Sequence, residues 1–271
     1  MIFTTKRLFT LSLILFFCQS EIFAQPIANF SANTTSGCVP LLVQYQDQSQ
    51  GALTSWSWTI GTATSSLHSP VQLYTTGGTY TICLTVRDTA SLTNTLCKTN
   101  YVNAYALPVV DFSANNTIAC NPGAVQFTDL STSGAGITSW QWSFGDGGSS
   151  SNSSPSHTYT QTNNFDVTLA VTDGNGCSRS LNKNDFITVV DPPVAAFTAA
   201  NTDNCSVPHT VNFTNTTVNS GALAFSWDFG DGNVSNAFSP NHIYTVPGVY
   251  SVALTVTDVS TGCSDVFTST D

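Results

Sequence analysis

The feature that most constrains this chain is a residue pattern that occurs three times in almost constant register. Each copy starts with a Pro four residues before a Phe and has a Cys eight residues after that Phe. Each copy then continues to a long alternating run that ends at Asp88, Asp173 or Asp258, and these residues are 85 positions apart. Chance does not keep such a register over three copies, so the chain contains three versions of one structural unit.

Alternating side chains predict how each unit folds. In the long run of each copy every second residue is apolar: Tyr80, Ile82, Leu84, Val86; Phe165, Val167, Leu169, Val171; Tyr250, Val252, Leu254, Val256. This period of two, interrupted by Gly, Pro, Asn and Ser, is typical of half-buried antiparallel strands. With about 80 residues per copy, we predict an all-β protein of three tandem immunoglobulin-like β-sandwiches. Short junctions that contain Pro favour a semi-rigid rod.

A tryptophan segment precedes the long alternating run in every copy. Residues 142–147 read W-S-F-G-D-G and residues 227–232 read W-D-F-G-D-G, whereas residues 58–63 read W-T-I-G-T-A. Apolar residues of one parity face one side of a strand, so these tryptophans should lie in the core together with a Tyr found further along each copy. The predicted core residues are Trp58, Trp142, Trp227, Tyr74, Tyr159 and Tyr244.

The acids of this segment have two interpretations. Asp146 and Asp231 stand between glycines, and a Gly-Asp-Gly sequence suits a tight hairpin whose Asp side chain accepts backbone N–H groups. Alternatively, each could be one ligand of a weak calcium site, with Asp228 or Asp191 as a helper, because Ca²⁺ requires six to eight oxygen ligands. Since the first copy has no such Asp, a calcium site would be confined to the second and third copies.

Candidate catalytic residues are scarce. His157 and His242 occupy the same place in two copies, two residues before the core Tyr, which favours a structural role. The chain has no G-x-S-x-G, H-E-x-x-H or C-x-x-C motif, and no Glu after residue 24. We therefore predict that it is not an enzyme and needs no cofactor.

The first 24 residues differ from the rest. Lys6 and Arg7 precede an apolar run, and Ala24 stands where a signal peptidase cuts, so residues 1–24 are predicted to be a secretory signal peptide. The remaining chain has 15 Asp, four Lys or Arg and a formal net charge of −11. This balance excludes nucleic acid as a partner, and no transmembrane segment is predicted. We expect a secreted or cell-surface protein.

Seven cysteines remain after residue 24, and export favours disulfide bonds. The simplest pairing lies within copies, because Cys120 and Cys177 are 57 residues apart and Cys205 and Cys263 are 58 apart. Immunoglobulin-like topology instead places the two cysteines of one copy at opposite ends of the sandwich, which would join Cys120 to Cys263. A disulfide needs Cα atoms within about 7 Å, and the sequence leaves both pairings open.

The first copy has a different cysteine arrangement. Cys83 and Cys97 lie symmetrically about a hairpin centred near Ala90, with parity opposite to the core residues, so they suit a cross-strand bond. Cys38 would then be unpaired or linked between copies.

The combination of motifs resembles the PKD domain, the polycystic-kidney-disease type of β-sandwich. The resemblance rests on W-x-F-G-D-G, on S-P-x-H-x-Y at residues 154–159 and 239–244, and on the alternating strand that follows. We expect repeats at 25–106, 107–191 and 192–271. The first copy departs from the pattern with Ile60, Thr62 and Gln72. The third copy ends half a strand early, which suggests a truncated piece of a longer protein.

The resemblance implies a function. PKD domains are extracellular modules of adhesins, receptors and secreted hydrolases, where they act as spacers or bind proteins and polysaccharides. We therefore expect a non-enzymatic adhesion scaffold whose partner is an extracellular protein or a polysaccharide. The alternative is the accessory module of a secreted hydrolase with its catalytic domain outside this chain. Sugar stacking would need exposed aromatic rings, for which Tyr101, Tyr105 and Phe186 are the candidates.

Overall fold

The computed structural model describes residues 25–202, 206–218 and 221–270, and the described residues form strands and no helix. The chain divides into two compact units, Met1–Ala104 and Tyr105–Asp271. Within the described residues, no helix is long and apolar enough to span a membrane. The predicted signal peptide and Cys205 lie outside the described residues.

The first unit is a sandwich of a three-stranded and a five-stranded sheet. Its strands are β1 (Phe30–Ala32), β2 (Ser36–Cys38), β3 (Leu41–Asp47), β4 (Leu53–Ile60), β5 (Ala63–Ser65), β6 (Val71–Tyr74), β7 (Gly78–Asp88) and β8 (Thr93–Tyr105). The small sheet has the order β1-β3-β6, and the large sheet has the order β2-β8-β7-β4-β5.

The second unit contains two sandwiches. The strands of its first sandwich are β9 (Phe112–Ala114), β10 (Ile118–Cys120), β11 (Gly123–Asp129), β12 (Ile137–Ser143), β13 (Ser149–Ser150), β14 (Ser156–Tyr159), β15 (Asn163–Asp173) and β16 (Ser178–Val190). They form sheets of order β9-β11-β14 and β10-β16-β15-β12-β13, in which β10 runs parallel to β16.

The other sandwich of this unit repeats the plan. Its strands are β17 (Phe197–Ala200), β18 (His209–Asn215), β19 (Leu223–Asp228), β20 (Val234–Ser235), β21 (Asn241–Tyr244), β22 (Val252–Asp258) and β23 (Ser264–Ser269). They form sheets of order β17-β18-β21 and β20-β19-β22-β23. The predicted all-β fold of three tandem sandwiches is confirmed.

Each sandwich buries its own apolar core between the two sheets. Trp58, Trp142 and Trp227 have no exposed surface, and each is the centre of a separate cluster of buried side chains. The partner tyrosines Tyr74, Tyr159 and Tyr244 are buried as well. Because a fully buried large apolar side chain contributes about 1.5–3 kcal/mol, these clusters are the main source of stability in each sandwich.

The disulfide bonds correct one prediction. Cys120 is bonded to Cys263, with the Cα atoms 5.5 Å apart, so the pairing of Cys120 with Cys177 and of Cys205 with Cys263 is wrong. The reason is strand length: Cys120 lies beside Val190 at the end of β16, while Cys177 immediately precedes the start of this strand. Thirteen residues at about 3.3 Å per residue separate the two ends of β16 by roughly 40 Å.

The remaining described cysteines are also bonded. Cys83 lies directly opposite Cys97 in the β7–β8 ladder, and the two form a disulfide with Cα atoms 4.0 Å apart. This is the cross-strand bond that the symmetric spacing predicts. Cys38 and Cys177 are each disulfide-bonded, so the alternative of an unpaired Cys38 does not hold.

Candidate functional site

In each sandwich the core tryptophan holds the loop that connects the two sheets, between β5 and β6, between β13 and β14, or between β20 and β21. In each sandwich the indole N–H donates a hydrogen bond of 2.9 Å to a loop carbonyl, from Trp58 to Leu67, from Trp142 to Asn152 and from Trp227 to Ala237. A buried indole N–H without an acceptor would be costly, and these bonds satisfy it. In the second and third sandwiches, the loop that leads into the S-P-x-H-x-Y segment is therefore bonded directly to a core residue.

The Gly-Asp-Gly sequence forms a turn stabilised by its own acid. Gly145 and Gly147 have φ of +87° and +94°, in the region that favours glycine. A Cβ on Gly145 would lie 2.5 Å from the carbonyl oxygen of Asp166. Oδ1 of Asp146 accepts the N–H of Gly148 at 2.8 Å, and Oδ1 of Asp231 accepts the N–H of Asn233 at 3.0 Å.

The second oxygen of each acid contacts a histidine. Nε2 of His157 lies 2.7 Å from Oδ2 of Asp146, and Nε2 of His242 lies 2.8 Å from Oδ2 of Asp231. All four side chains are less than one-fifth exposed. The two motifs of the sequence, F-G-D-G and S-P-x-H-x-Y, thus meet as one His–Asp pair in each of these sandwiches.

The imidazole rings also stack on the phenylalanine of the motif. The ring of His157 lies 4.1 Å from Phe144 with an angle of 9° between the planes, and that of His242 lies 4.0 Å from Phe229 with an angle of 3°. Tyr159 meets the ring of His157 edge-on at 4.7 Å and donates its hydroxyl to the carbonyl of Phe144. An imidazole enclosed in this way closes the end of the core.

These contacts set the protonation of the acids. Burial opposes ionisation of Asp146, but the hydrogen bonds from His157 and from the N–H of Gly148 outweigh burial and lower the pKa of this carboxyl. The pKa of Asp231 is lowered in the same way, because hydrogen bonds from His242 and Asn233 outweigh its desolvation. Both acids are therefore carboxylates at neutral pH.

Sequence reasoning did not pair these residues, although a signal was present. The two sandwiches that have the Asp also have the His, whereas the first sandwich has Thr62 and Gln72 in their places. This joint replacement within one chain indicates a contact. The first sandwich instead bonds the hydroxyls of Tyr45 and Tyr74 to each other at 2.6 Å.

The acids considered for calcium have other partners. Both oxygens of Asp146 and of Asp231 face nitrogen groups, and Asp228 accepts the N–H of Gly230 at 2.9 Å. Asp191 accepts hydrogen bonds from Asn121 and Thr162. Over the described ranges, no cluster of three or more His, Cys, Asp or Glu could hold a metal ion. The geometry favours the turn interpretation.

A second tryptophan position differs between the sandwiches. Nε1 of Trp56 donates to Asp47 at 2.7 Å, and Nε1 of Trp140 donates to Asp129 at 2.6 Å. The third sandwich has Phe225 and Asn215 at these places, and Nδ2 of the buried Asn215 has no hydrogen-bond partner among the described residues.

The aromatic residues considered for sugar stacking are at least partly enclosed. Tyr101 packs edge-on against Phe30 at 5.5 Å, Phe186 packs against Phe112 at 5.3 Å, and Tyr105 is half-buried. Sequence reasoning missed Phe238, which is 60% exposed and has no aromatic equivalent in the second copy.

The first unit contains a polar groove of about 320 Å³ beside its small sheet. Its lining is rich in amides and hydroxyls: Ser31, Ala32, Asn33, Gln44, Tyr45, Gln46 and Ser69. Such groups can hydrogen-bond a neutral, hydroxyl-rich ligand.

Comparisons with known proteins show which proteins this chain is similar to. A family model described as PKD domain matches residues 23–104, 105–189 and 190–271. The PKD1 domain of the Vibrio cholerae metalloprotease PrtV is 31% identical, and the match covers 31% of this chain and 96% of that chain with a TM-score of 0.27. The PKD1 domain of Vibrio anguillarum Epp is 28% identical, with coverages of 31% and 96% and a TM-score of 0.28. A structure from a bacterial ice-binding adhesin is 10% identical, with coverages of 90% and 97% and a TM-score of 0.39.

Proposed function

This chain belongs to the PKD domain family as three consecutive domains, and we propose that it acts as a non-catalytic extracellular spacer and adhesion scaffold. Extracellular disulfide chemistry supports the location, because three bonds persist most readily outside the reducing cytosol. The scaffold would hold a neighbouring segment or a bound partner away from the surface to which the protein is attached.

One observation carries this proposal: the residues that recur are used to hold the fold. His157 contacts both Asp146 and Phe144, and His242 contacts both Asp231 and Phe229 in the same way. A His–Asp pair can serve as a general base when it faces a substrate. Here the imidazole is stacked on a core ring and is less than one-fifth exposed, which supports an architectural role.

The test uses residues 25–271, produced with oxidised disulfides. The protein is incubated with soluble polysaccharides, peptides and esters, and product release is measured against a buffer blank. No release above the blank supports the proposal. Release that disappears when His157 and His242 are replaced by Gln would overturn it.

Polysaccharide binding is a second candidate, favoured by the polar groove of the first unit. Gln44 and Gln46 line this groove from β3, at exposed positions whose replacement leaves the core intact. Retention on an insoluble polysaccharide that is lost in a Gln44→Ala/Gln46→Ala variant would favour a binder. Absence of retention on any tested polymer would favour a spacer. The variant Gln126→Ala in the second sandwich is the matched control, because it alters the equivalent strand position.

A further inference from the structure

The outer face of the small sheet in the first unit is unusually apolar. Leu42, Val71 and Leu73 are 59%, 53% and 49% exposed. In the ladder between β3 and β6, Leu42 lies opposite Leu73 and Gln44 lies opposite Val71, so the three apolar side chains are neighbours on one surface. We call this surface the β6 face.

The other two sandwiches show that the fold does not require these apolar residues. At the equivalent places the second sandwich pairs Ala124 with Thr158 and Gln126 with Ser156. The third sandwich pairs Thr210 with Ile243 and Asn212 with Asn241. Three large apolar side chains therefore collect on this surface only in the first repeat, where they make no contribution to the core.

Among the strands that the structure describes, none pairs with the outer edge of β6, where the β6 face ends. Strand β6 is the last strand of its sheet, and the carbonyl of Pro70 accepts the N–H of Tyr45 in β3. Backbone groups alternate in direction along a strand, so the N–H and C=O groups of Val71 and Leu73 point away from β3. The side-chain amide of Gln72 donates to the carbonyl of Leu73 at 3.0 Å. An exposed edge flanked by apolar side chains is a template for a further strand.

The distribution of charge indicates where a second copy of the chain can approach. Residues 25–104 contain Asp47, Asp88, Arg87 and Lys98, so the described part of the first unit has no formal net charge. The second unit has 13 Asp against Arg179 and Lys183, a formal net charge of −11. Two copies of the chain would repel each other through their second units, but not through their first units. A second copy is therefore best accommodated at the neutral first unit.

We propose that the β6 face is a self-association surface, on which β6 of one chain pairs antiparallel with β6 of a second copy. The register that keeps apolar residues on one side places a twofold axis at Gln72, with Val71 opposite the partner subunit's Leu73. Val71 and Leu73 then exchange up to about four backbone hydrogen bonds with the second copy. Leu42, Leu73 and the partner subunit's Val71 form a continuous apolar row across the joined sheets.

The interface is symmetric and small. It is isologous, because the same patch contributes from both chains. Four residues of β6 and three apolar side chains from each chain bury less than the roughly 1,000 Å² typical of a stable complex, so the dimer is weak and depends on concentration. On a surface that displays many copies, such weak contacts add up through effective concentration. The inference does not depend on whether the chain binds a polysaccharide.

Sedimentation equilibrium of residues 25–271 over an approximately hundredfold range of concentration tests the proposal. The test variant Leu42→Ala/Val71→Ser/Leu73→Thr introduces the residues of the second sandwich, where they are compatible with the same sheet. The control Ile243→Thr changes the exposed apolar residue at the matching place of the third sandwich. We expect reversible dimers in the wild type and the control, and monomers in the test variant with an unchanged circular-dichroism spectrum.

Hydrogen exchange of individual amides tests the register. The amides of Val71 and Leu73 should exchange more slowly at high protein concentration, while those of Val234 and Ser235 in edge strand β20 should not change. A wild type that stays monomeric throughout would overturn the proposal, as would equal association of the triple variant. Dimers in which the Val71 and Leu73 amides exchange at the monomer rate would also overturn it.

Discussion

His157 and Asp146 are joined by a 2.7 Å contact between Nε2 and Oδ2, although the two residues are 11 positions apart and belong to separate motifs. The pair closes the end of the second sandwich, and His242 with Asp231 does the same in the third. Because each acid and its imidazole satisfy each other's hydrogen-bonding groups, we attribute the recurring motif to stabilisation of the turn.

Replacing His157 by Gln should destabilise the second sandwich. Gln is the residue of the first repeat, but Asp146 would lose a charge-assisted partner and Phe144 would lose its stacked ring. We expect a loss of about 1–3 kcal/mol, measured by native-state hydrogen exchange in β12 and β14. Thr62→Ala, at the exposed turn position of the first repeat, should change stability by less than about 0.5 kcal/mol. An equal effect of both variants would show that the pair contributes nothing.

Acid should destabilise the second and third sandwiches through the carboxylates of Asp146 and Asp231. The pKa values of Asp146 and Asp231 are lower in the folded chain than in the unfolded chain, because hydrogen bonds outweigh desolvation. The stabilisation is complete above the unfolded value of about 4, and is lost as the pH falls through the folded values. Stability measured with urea should therefore decrease below about pH 4.

The matched variant for this pH dependence is Asp146→Asn/Asp231→Asn. It should show a shallower decrease between neutral and acidic pH, because fewer protons are taken up on unfolding. If the free energy of unfolding falls with the same slope in the variant and the wild type, these two carboxylates do not control the loss of stability in acid.

The stability of the third sandwich should increase when the Trp–Asp hydrogen bond found in the other two sandwiches is introduced. Asn215→Asp alone buries a carboxylate whose Oδ1 accepts the N–H of Thr217 but whose second oxygen has no donor in the described part of the chain. Phe225→Trp alone places an indole N–H against the amide N–H of Asn215. The two together recreate the bond between Trp140 and Asp129. We expect each single variant to be destabilised and the double variant to gain, with a coupling free energy of about 1–3 kcal/mol in a double-mutant cycle. Additive effects would contradict this assignment.

The Cys120–Cys263 and Cys83–Cys97 disulfides should contribute different amounts to the stability of the folded chain. Cys120 and Cys263 are 143 residues apart, whereas Cys83 and Cys97 are 14 apart. Loop entropy in the unfolded chain gives about 5 kcal/mol for the long loop and about 3 kcal/mol for the short one. Paired Cys→Ser variants, compared by denaturant unfolding, should show the larger loss for Cys120 with Cys263. Peptide mapping without reductant should recover these two residues in one linked fragment.

Strand positions and their inward faces follow from local sequence, because side-chain direction alternates with a period of two in any strand. That rule placed Trp58, Trp142 and Trp227 correctly in three cores. Trp56 and Trp140 share this parity but are only half-buried, and their indole N–H groups donate to Asp47 and Asp129. Parity states which face a residue occupies and does not state how far the facing sheet extends.

The sequence by itself determined that this protein has three β-sandwiches with tryptophan cores, because short alternating strands repeated every 85 residues bury their apolar faces when two sheets pack together. Only the tertiary structure decided which distant side chains meet. The bond between Cys120 and Cys263 depends on the length of β16, and the pairing of His157 with Asp146 depends on a loop held over Trp142. Such contacts are set by sheet order and loop geometry, which spacing along the chain does not specify.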